Sequence, residues 1–392
     1  MLRFAFKHIV IDGRFFRRST GGIGRYTQAL VRELMSQESP DRYTLLLRPE
    51  DRGDWSQFMA GRSLDSEQWQ VSYVNIPHYS FAEQTKLMSV LKKLQPDLVH
   101  FTNFNHPILW QRPFVTTIHD LTILKYPVGK SQTSLVSKWA FRRVLHHAAF
   151  AAKKIMTVSE TSKSDLVDYL HVAPEKITVT YEGVDDVFQP VNLPLRGRAQ
   201  GKIAKKLGLR PPYLLFVSQW RPHKGLPILI AAYEEVRNRN PRLKPQLVII
   251  GQPNPNYPEI LAAIERSPYR ADIIRPGFIA ESDLIALYQT AEAFVFPSLY
   301  EGFGLPPLEA MASGTPVIAS DASCLPEILG TAAELVPHGN VAALARAIEQ
   351  VITDRSLWRQ LRSTGLAHAR NFSWAKMARQ TSEVYGSILK AS

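Results

Sequence analysis

The 392-residue chain contains one cysteine, Cys324. That excludes an internal disulfide and a zinc site built on cysteines, and it fits a reducing compartment. No apolar run approaches the roughly 20 residues needed to cross a bilayer. The opening residues break their apolar side chains with Arg3, Lys7 and His8, so no secretory leader is expected and the expected location is the cytoplasm. Helix-turn-helix, zinc-finger and aromatic RNA-binding signatures are also lacking, so no nucleic-acid partner is expected. What the chain has in excess is positive charge, +12 at neutral pH. Such an excess calls for an anionic partner and leaves a lipid surface or a phosphorylated substrate open. With 45% hydrophobic and 21% charged residues the chain is globular, and its length predicts two domains.

Short β-rich runs alternate with helical stretches, the pattern of parallel sheets covered by helices. The first half predicts strands at Ile9 to Asp12, Tyr43 to Leu47, Gln70 to Val74, Leu98 to Phe101, Val115 to His119 and Ile155 to Val158. Between Asp186 and Pro212 the pattern breaks into prolines, glycines and basic residues, the expected interdomain connection. A second series follows, with strands at Tyr213 to Val217, Leu247 to Gly251, Ile273 to Arg275, Ala293 to Phe296 and Val317 to Ala319. Two doubly wound α/β domains are expected, facing each other across a cleft. Ligands of such sheets sit beyond the carboxyl ends of the strands, so the chemistry belongs in strand-to-helix loops.

Four loops stand out. After the first strand, Gly13-Arg14 and then Gly21-Gly22-Ile23-Gly24 lead into a helix whose free amides and dipole can face phosphate. The spacing is not that of a dinucleotide fingerprint, and no acidic residue ends the second strand, which disfavours a nicotinamide enzyme. A glycine turn that merely permits packing explains the same residues. His119-Asp120 is placed at the end of the fifth strand, where an imidazole can bind hydroxyls or relay a proton, or serve as a plain structural donor. Ser218-Gln219-Trp220-Arg221-Pro222-His223-Lys224-Gly225 offers Arg221 and Lys224 to a departing diphosphate, unless it is only a solvated basic loop. The richest string runs from Phe296 to Ala312. Glu301 lies in its glycine loop and Glu309 in a helix opened by Pro306 and Pro307, with amides near Gly304 and Leu305 available to phosphate. A glutamate early in a helix is also favoured by the dipole alone.

Glu301 and Glu309, separated by seven residues, resemble the signature of retaining glycosyltransferases of family 4, which have the GT-B fold. Gly277-Phe278-Ile279, Gly314-Thr315-Pro316-Val317, Leu325-Pro326-Glu327, Val158-Ser159-Glu160 and Tyr181-Glu182-Gly183-Val184-Asp185 extend the likeness over nearly the whole chain. Phe372-Ser373-Trp374 resembles the start of the C-terminal helix that crosses back onto the first domain in that fold. The resemblance implies an acceptor-side domain over residues 1–190 with the helix at about 373–390, and a donor domain over 205–372.

By the same resemblance Glu309 holds the donor ribose, while Glu301 and the backbone of Phe303, Gly304 and Leu305 hold the sugar. Gly22 and Gly24 approach the diphosphate or the acceptor, and His119 contacts the transferring sugar. Arg221 and Lys224 stabilise the leaving nucleoside diphosphate. The family usually carries glycine followed by arginine or threonine where this chain has Ser218 and Gln219, and Arg221 is the expected substitute for the missing contact. Retention is compatible with a covalent intermediate or with same-face attack, and the family is usually assigned the second route. No Asp-x-Asp triplet occurs, so neither metal nor cofactor is expected. A likeness to bacterial mannosyltransferases makes GDP-mannose the first donor expected and UDP-glucose the second. The acceptor is expected to be a glycan or a lipid-linked saccharide. The basic stretch Lys130 to Lys154, with Lys138, Trp139, Arg142 and Arg143, suits peripheral contact with an anionic membrane as well as it suits an ordinary solvated helix. Rival readings are a nucleotide-sugar epimerase of similar fold and a non-catalytic sugar- or nucleic-acid-binding protein.

Overall fold

The computed structural model describes residues 6–126 and 135–390. They form two compact units, Met1–Gly183 with Trp374–Ser392, and Val184–Ser373. In the first unit, β1 (His8–Asp12), β2 (Arg42–Leu47), β3 (Trp69–Tyr73), β4 (Leu98–Phe101), β5 (Phe114–Thr117), β6 (Lys154–Thr157) and β7 (Ile177–Val179) make one sheet. The spatial order is β3-β2-β1-β4-β5-β6-β7 with every pair parallel, Ile9 lying between Tyr43 and Leu98. β4 and β5 are buried along their whole length, as strands covered by helices on both faces must be.

The helix Gly22–Met35 buries Tyr26, Leu30 and Leu34, a stripe of one residue per turn that the sequence spacing dictates. The C-terminal helix Trp374–Lys390 buries Met377, Thr381, Val384, Tyr385 and Ile388 in the same way and packs on Gly22–Met35. It belongs to the first unit despite its place in the sequence.

The second unit holds β8 (Tyr213–Val217), β9 (Gln246–Ile250), β10 (Ile273–Ile274), β11 (Ala293–Phe296), β12 (Val317–Ser320) and β13 (Glu334–Val336). Their order is β10-β9-β8-β11-β12-β13, again all parallel. One core packs Leu214, Phe216, Leu247 and Ile249 of the sheet against Tyr233 and Ile348 from the helices Leu226–Arg239 and Val341–Thr353. In each sheet the strand order reverses once, between β1 and β4 and between β8 and β11, and the crevice at that reversal is where such folds bind ligands.

Three sequence expectations change. The Pro- and Gly-rich segment from Asp186 to Pro212 is no open linker: it contains the helix Leu193–Leu207, closed by Gly208 at φ 66°. Pro194 falls in its first turn, where no amide hydrogen is required. Arg196 fastens this helix to the carbonyls of Thr290 and Ala291, so it is part of the second unit, and the division falls between Gly183 and Val184. β5 stops at Thr117, which puts His119 in the following loop and not at the end of the strand. β7 and β13 are three-residue edge strands that the apolar pattern did not separate from their surroundings.

Candidate active site

In the second unit the loop after β8 is held by close backbone approaches. A Cβ on Gly225, at φ 71°, would lie 2.0 Å from the Pro297 carbonyl oxygen, and one on Gly251, at φ 134°, would lie 2.0 Å from that of Ser218. These glycines therefore draw the ends of β8, β9 and β11 together. The Leu299 amide donates to the His223 carbonyl at 2.7 Å, and the Ser298 hydroxyl oxygen lies 3.1 Å from the same carbonyl.

Within that frame Lys224 Nζ donates to both carboxylate oxygens of Glu301, at 2.7 and 2.8 Å. Ser298 Oγ donates to Glu301 Oε1 at 2.7 Å, and Ser323 Oγ donates to the Glu301 carbonyl at 2.7 Å. Glu301 is 9% exposed, so the pair is a fixed and internally neutral unit whose carboxylate can still accept from a sugar hydroxyl. Arg221 differs. Its side chain is half-buried and makes no hydrogen bond or ion pair among the described residues. His223 beside it is pushed down to about 3, by burial first and then by the charges of Lys224 and Arg221, so it stays neutral. The uncommitted cation here is Arg221.

The helix Leu305–Ala312 begins after Gly304 at φ 97°, with Leu325 Cδ2 3.0 Å from where a Cβ would stand. The amides of Gly304 and Leu305 open this helix, at positions that have no intrahelical acceptor. Phe303 is buried with its ring edge-on to Phe372 at 5.7 Å, and Cys324 Sγ donates to its carbonyl at 3.2 Å. Glu309 is 2% exposed and accepts from the Tyr288 hydroxyl at 2.9 Å. Ser218, Arg221, Lys224, Glu301, Phe303, Gly304, Leu305 and Glu309 thus all lie in the loops and helix that follow β8 and β11, at the reversal of the second sheet.

In the first unit, Gly22 and Gly24 open the helix after β1, but they do different work. A Cβ on Gly24 would meet the Arg17 carbonyl oxygen at 2.1 Å, so this glycine is required by its own loop; at Gly22 nothing lies within 4 Å. Only Gly22 presents open backbone. Arg14, read from sequence as part of the same loop, is fully buried and donates to Asp12 at 2.8 and 2.7 Å and to Glu83 at 2.8 Å. Asp12 and Glu83 hold it charged against the cost of burial, and it faces no ligand.

His119 Nε2 donates to the Thr102 carbonyl at 3.1 Å, which turns Nδ1 toward Glu182 at 3.5 Å. The ring of Tyr26 stands edge-on to it at 4.7 Å. Both ring nitrogens face protein groups, so the imidazole is a held, orienting group with an accessible edge, not a free base. Asp120 caps its own turn by accepting from the Thr122 amide at 2.7 Å. Glu182, Ser298, Ser323 and Tyr288, which hold His119, Glu301 and Glu309, were not picked out as site residues from sequence. Their signal there was that Glu182 sits inside a block that resembles the family and Ser298 inside the string from Phe296 to Ala312.

Lys130 lies outside the described residues. The helix Leu135–Ala151 exposes Lys138, Trp139, Arg142, Arg143, His146 and Phe150, with the Arg143 guanidinium 5.6 Å from the Trp139 ring and His146 stacked on Phe150 at 6.2 Å. Among the described residues no helix is long and apolar enough to cross a membrane, and no group of three His, Cys, Asp or Glu side chains could hold a metal ion.

Comparison with known proteins gives the family. The profile of glycosyltransferase family 4 matches residues 20–188, and that of glycosyl transferases group 1 matches residues 200–367. The chain belongs to glycosyltransferase family 4. Among curated relatives of this glycosyltransferase, O-antigen chain mannosyltransferase B of Escherichia coli is 29% identical over 382 residues, covering 93% of this chain and 95% of the relative. The serotype-specific mannosyltransferase WbdA of the same organism is 28% identical over 422 residues, and there the chain spans only 48% of the relative's length. The fold matches that of Anabaena HepE, solved with UDP and glucose, at a TM-score of 0.76 and 19% identity over 97% of this chain and 100% of that one. The two-unit α/β architecture is that of GT-B glycosyltransferases.

Proposed function

We propose that the chain transfers a hexose, mannose in the first instance, from a nucleoside diphosphate sugar to a glycan or lipid-linked acceptor with retention of configuration, in cell-surface polysaccharide synthesis. The observation that carries this reading is Arg221, a half-buried cation without an internal carboxylate beside the neutral Lys224–Glu301 pair at the reversal of the second sheet. As the glycosidic bond breaks, charge gathers on the departing diphosphate. A pre-placed guanidinium and the amides of Gly304 and Leu305 would stabilise that charge without reorganising, the kind of contribution that reaches several kcal/mol. Glu301 is the proposed acceptor for sugar hydroxyls, Glu309 for the ribose, and His119 the sugar contact of the first unit.

Mannose is preferred because two relatives are named mannosyltransferases, which leads to GDP-mannose as the first donor; UDP-glucose is second because HepE is solved with UDP and glucose. The exposed Trp139, Arg143, His146 and Phe150 stripe is the proposed contact with an anionic leaflet. Metal independence is part of the proposal.

The experiment is a panel of nucleotide sugars with and without saccharide acceptors, read as nucleoside diphosphate release. Release from GDP-mannose that rises when acceptor is added, and survives a chelator, is the expected result. Conversion of the donor to an isomer with no acceptor present would instead identify an epimerase. Binding to anionic but not neutral vesicles at low salt is expected of the stripe.

A further inference from the structure

We propose that the exposed face of Tyr79 is a platform on which a sugar ring of the acceptor glycan stacks, a binding subsite on the first unit that rests on the transferase reading above. Tyr79 has φ 54°, the left-handed region where an aromatic residue is strained and where glycine or asparagine would sit without cost. The neighbouring chain gives no reason for a bulky residue there. Ser80 Oγ donates to the Pro77 carbonyl and accepts from the Glu83 amide, which fixes the turn into the helix Phe81–Leu94 without help from the tyrosine. Nor is the ring needed to fill the core, since the residue is 57% exposed.

The ring is nevertheless held in one orientation. It stacks on Phe141 at 6.4 Å and 25°, and leans on Phe104 at 6.2 Å. Desolvation pushes its phenol up to about 12, and the charges of Glu83 and Asp120 act in the same direction. Phe104, on which the ring leans, follows β4, the strand at the reversal, and Asp120 is the neighbour of His119, so the platform stands at the ligand-binding end of the sheet. A propped, exposed aromatic ring with carboxylates near its rim fits a pyranose, whose C–H face is apolar and whose hydroxyls point outward and can donate to carboxylates. An anion would find no cation in that set. Strain kept at an exposed residue with a rigid ring is accounted for by a ligand that uses the ring.

The test uses the full chain and α-mannobiose as the acceptor probe. Tyr79→Gly removes both ring and strain; Tyr79→Trp keeps an aromatic face. The expected result is an acceptor KM about tenfold higher for Tyr79→Gly, within about threefold of wild type for Tyr79→Trp, an unchanged melting temperature, and an unchanged rate of donor hydrolysis without acceptor. An unchanged acceptor KM in Tyr79→Gly overturns the platform, whether or not the variant melts earlier. If Tyr79→Gly is too unstable to assay, Tyr79→Leu takes its place, because it keeps apolar bulk without the aromatic face. Saturation-transfer NMR with α-mannobiose reads binding independently of turnover. Signal lost in Tyr79→Gly supports the platform, and equal signal in both proteins overturns it. Absence of donor hydrolysis in the wild type is a failure of the transferase reading, not of the platform, which the NMR arm still decides.

Discussion

The two sheet reversals treat their cations in opposite ways. In the first unit Arg14 is drawn inward and consumed by Asp12 and Glu83, and what remains open is the backbone of Gly22 and the face of Tyr79. In the second, Lys224 is matched by one carboxylate, while Arg221 has none. The net charge of +12 therefore says little about where an anion binds. An anion site needs a cation that its own fold has not already neutralised, and a neutral ligand is better served where the charges are internal. On the proposed reading, this asymmetry suits the second unit to the diphosphate and the first to the acceptor sugar.

Its largest expected expression is in stability. Arg14→Met strands two buried carboxylates, and losing one partner of a buried ion pair costs roughly 3–5 kcal/mol. Calorimetry should show a large fall in melting temperature for this variant. Replacing all three charges together, with Asp12→Asn and Glu83→Gln added, should recover much of that loss. A single Arg14→Met that unfolds with less than about 1 kcal/mol of loss would show that the network is solvated and the contrast false.

Arg221→Met should do the reverse. With no internal partner to strand, it should change stability by no more than about 0.5 kcal/mol. Acceptor-dependent release of nucleoside diphosphate should nevertheless fall on the order of 10²–10³-fold, with Arg221→Lys recovering part. If Lys224→Met proved far more damaging to the chemical step than Arg221→Met at equal stability, the ion-paired lysine would be the true phosphate contact.

Much of this architecture is legible in the sequence. The alternation of strands and helices fixes two parallel sheets because buried strands must be apolar throughout, and the Glu301 to Glu309 string marks the loop after β11. What escaped is information that depends on distant partners. Arg14 and Glu83 lie 69 residues apart, so nothing local distinguishes a buried structural arginine from a ligand contact such as Arg221. His119 stood out by residue type, but the engagement of both its nitrogens depends on Thr102 and Glu182. The helix Leu193–Leu207 was hidden by its proline and glycines: Pro194 sits in its first turn, where it costs no hydrogen bond, and Gly197 and Gly201 lie inside the helix, where glycine weakens it without ending it.

Acid should separate the units next. Burial lowers His100 to about 3 and His78 and His106 to about 4 in the first unit, and His223 to about 3 in the second. Each is neutral when folded and takes up a proton near pH 6.5 when unfolded. The unfolded state therefore binds more protons below pH 6.5, and stability is lost as pH falls from there toward 4. Each such histidine contributes up to about 1.4 kcal/mol per pH unit. With three of them against one, the transition of the first unit should fall faster between pH 6.5 and 5, before the raised carboxyls Glu83, Asp41 and Asp51 begin to oppose it. Parallel pH slopes of two resolved calorimetric transitions would remove this part of the contrast.

The smallest expected change is at Gly22. Its surroundings are empty, and alanine favours the helix it opens, so Gly22→Ala should leave the melting temperature unchanged or raise it by the equivalent of less than about 1 kcal/mol. If the open backbone exists for a ligand, a methyl group there stands in the ligand's place, and turnover should fall while folding does not. Loss of donor affinity would mean that the first unit touches the diphosphate after all. A rise in acceptor KM alone would keep Gly22 with Tyr79 on the acceptor side. Unchanged kinetics would reduce the glycine to a permissive turn and leave the propped tyrosine to carry the acceptor side of the proposal.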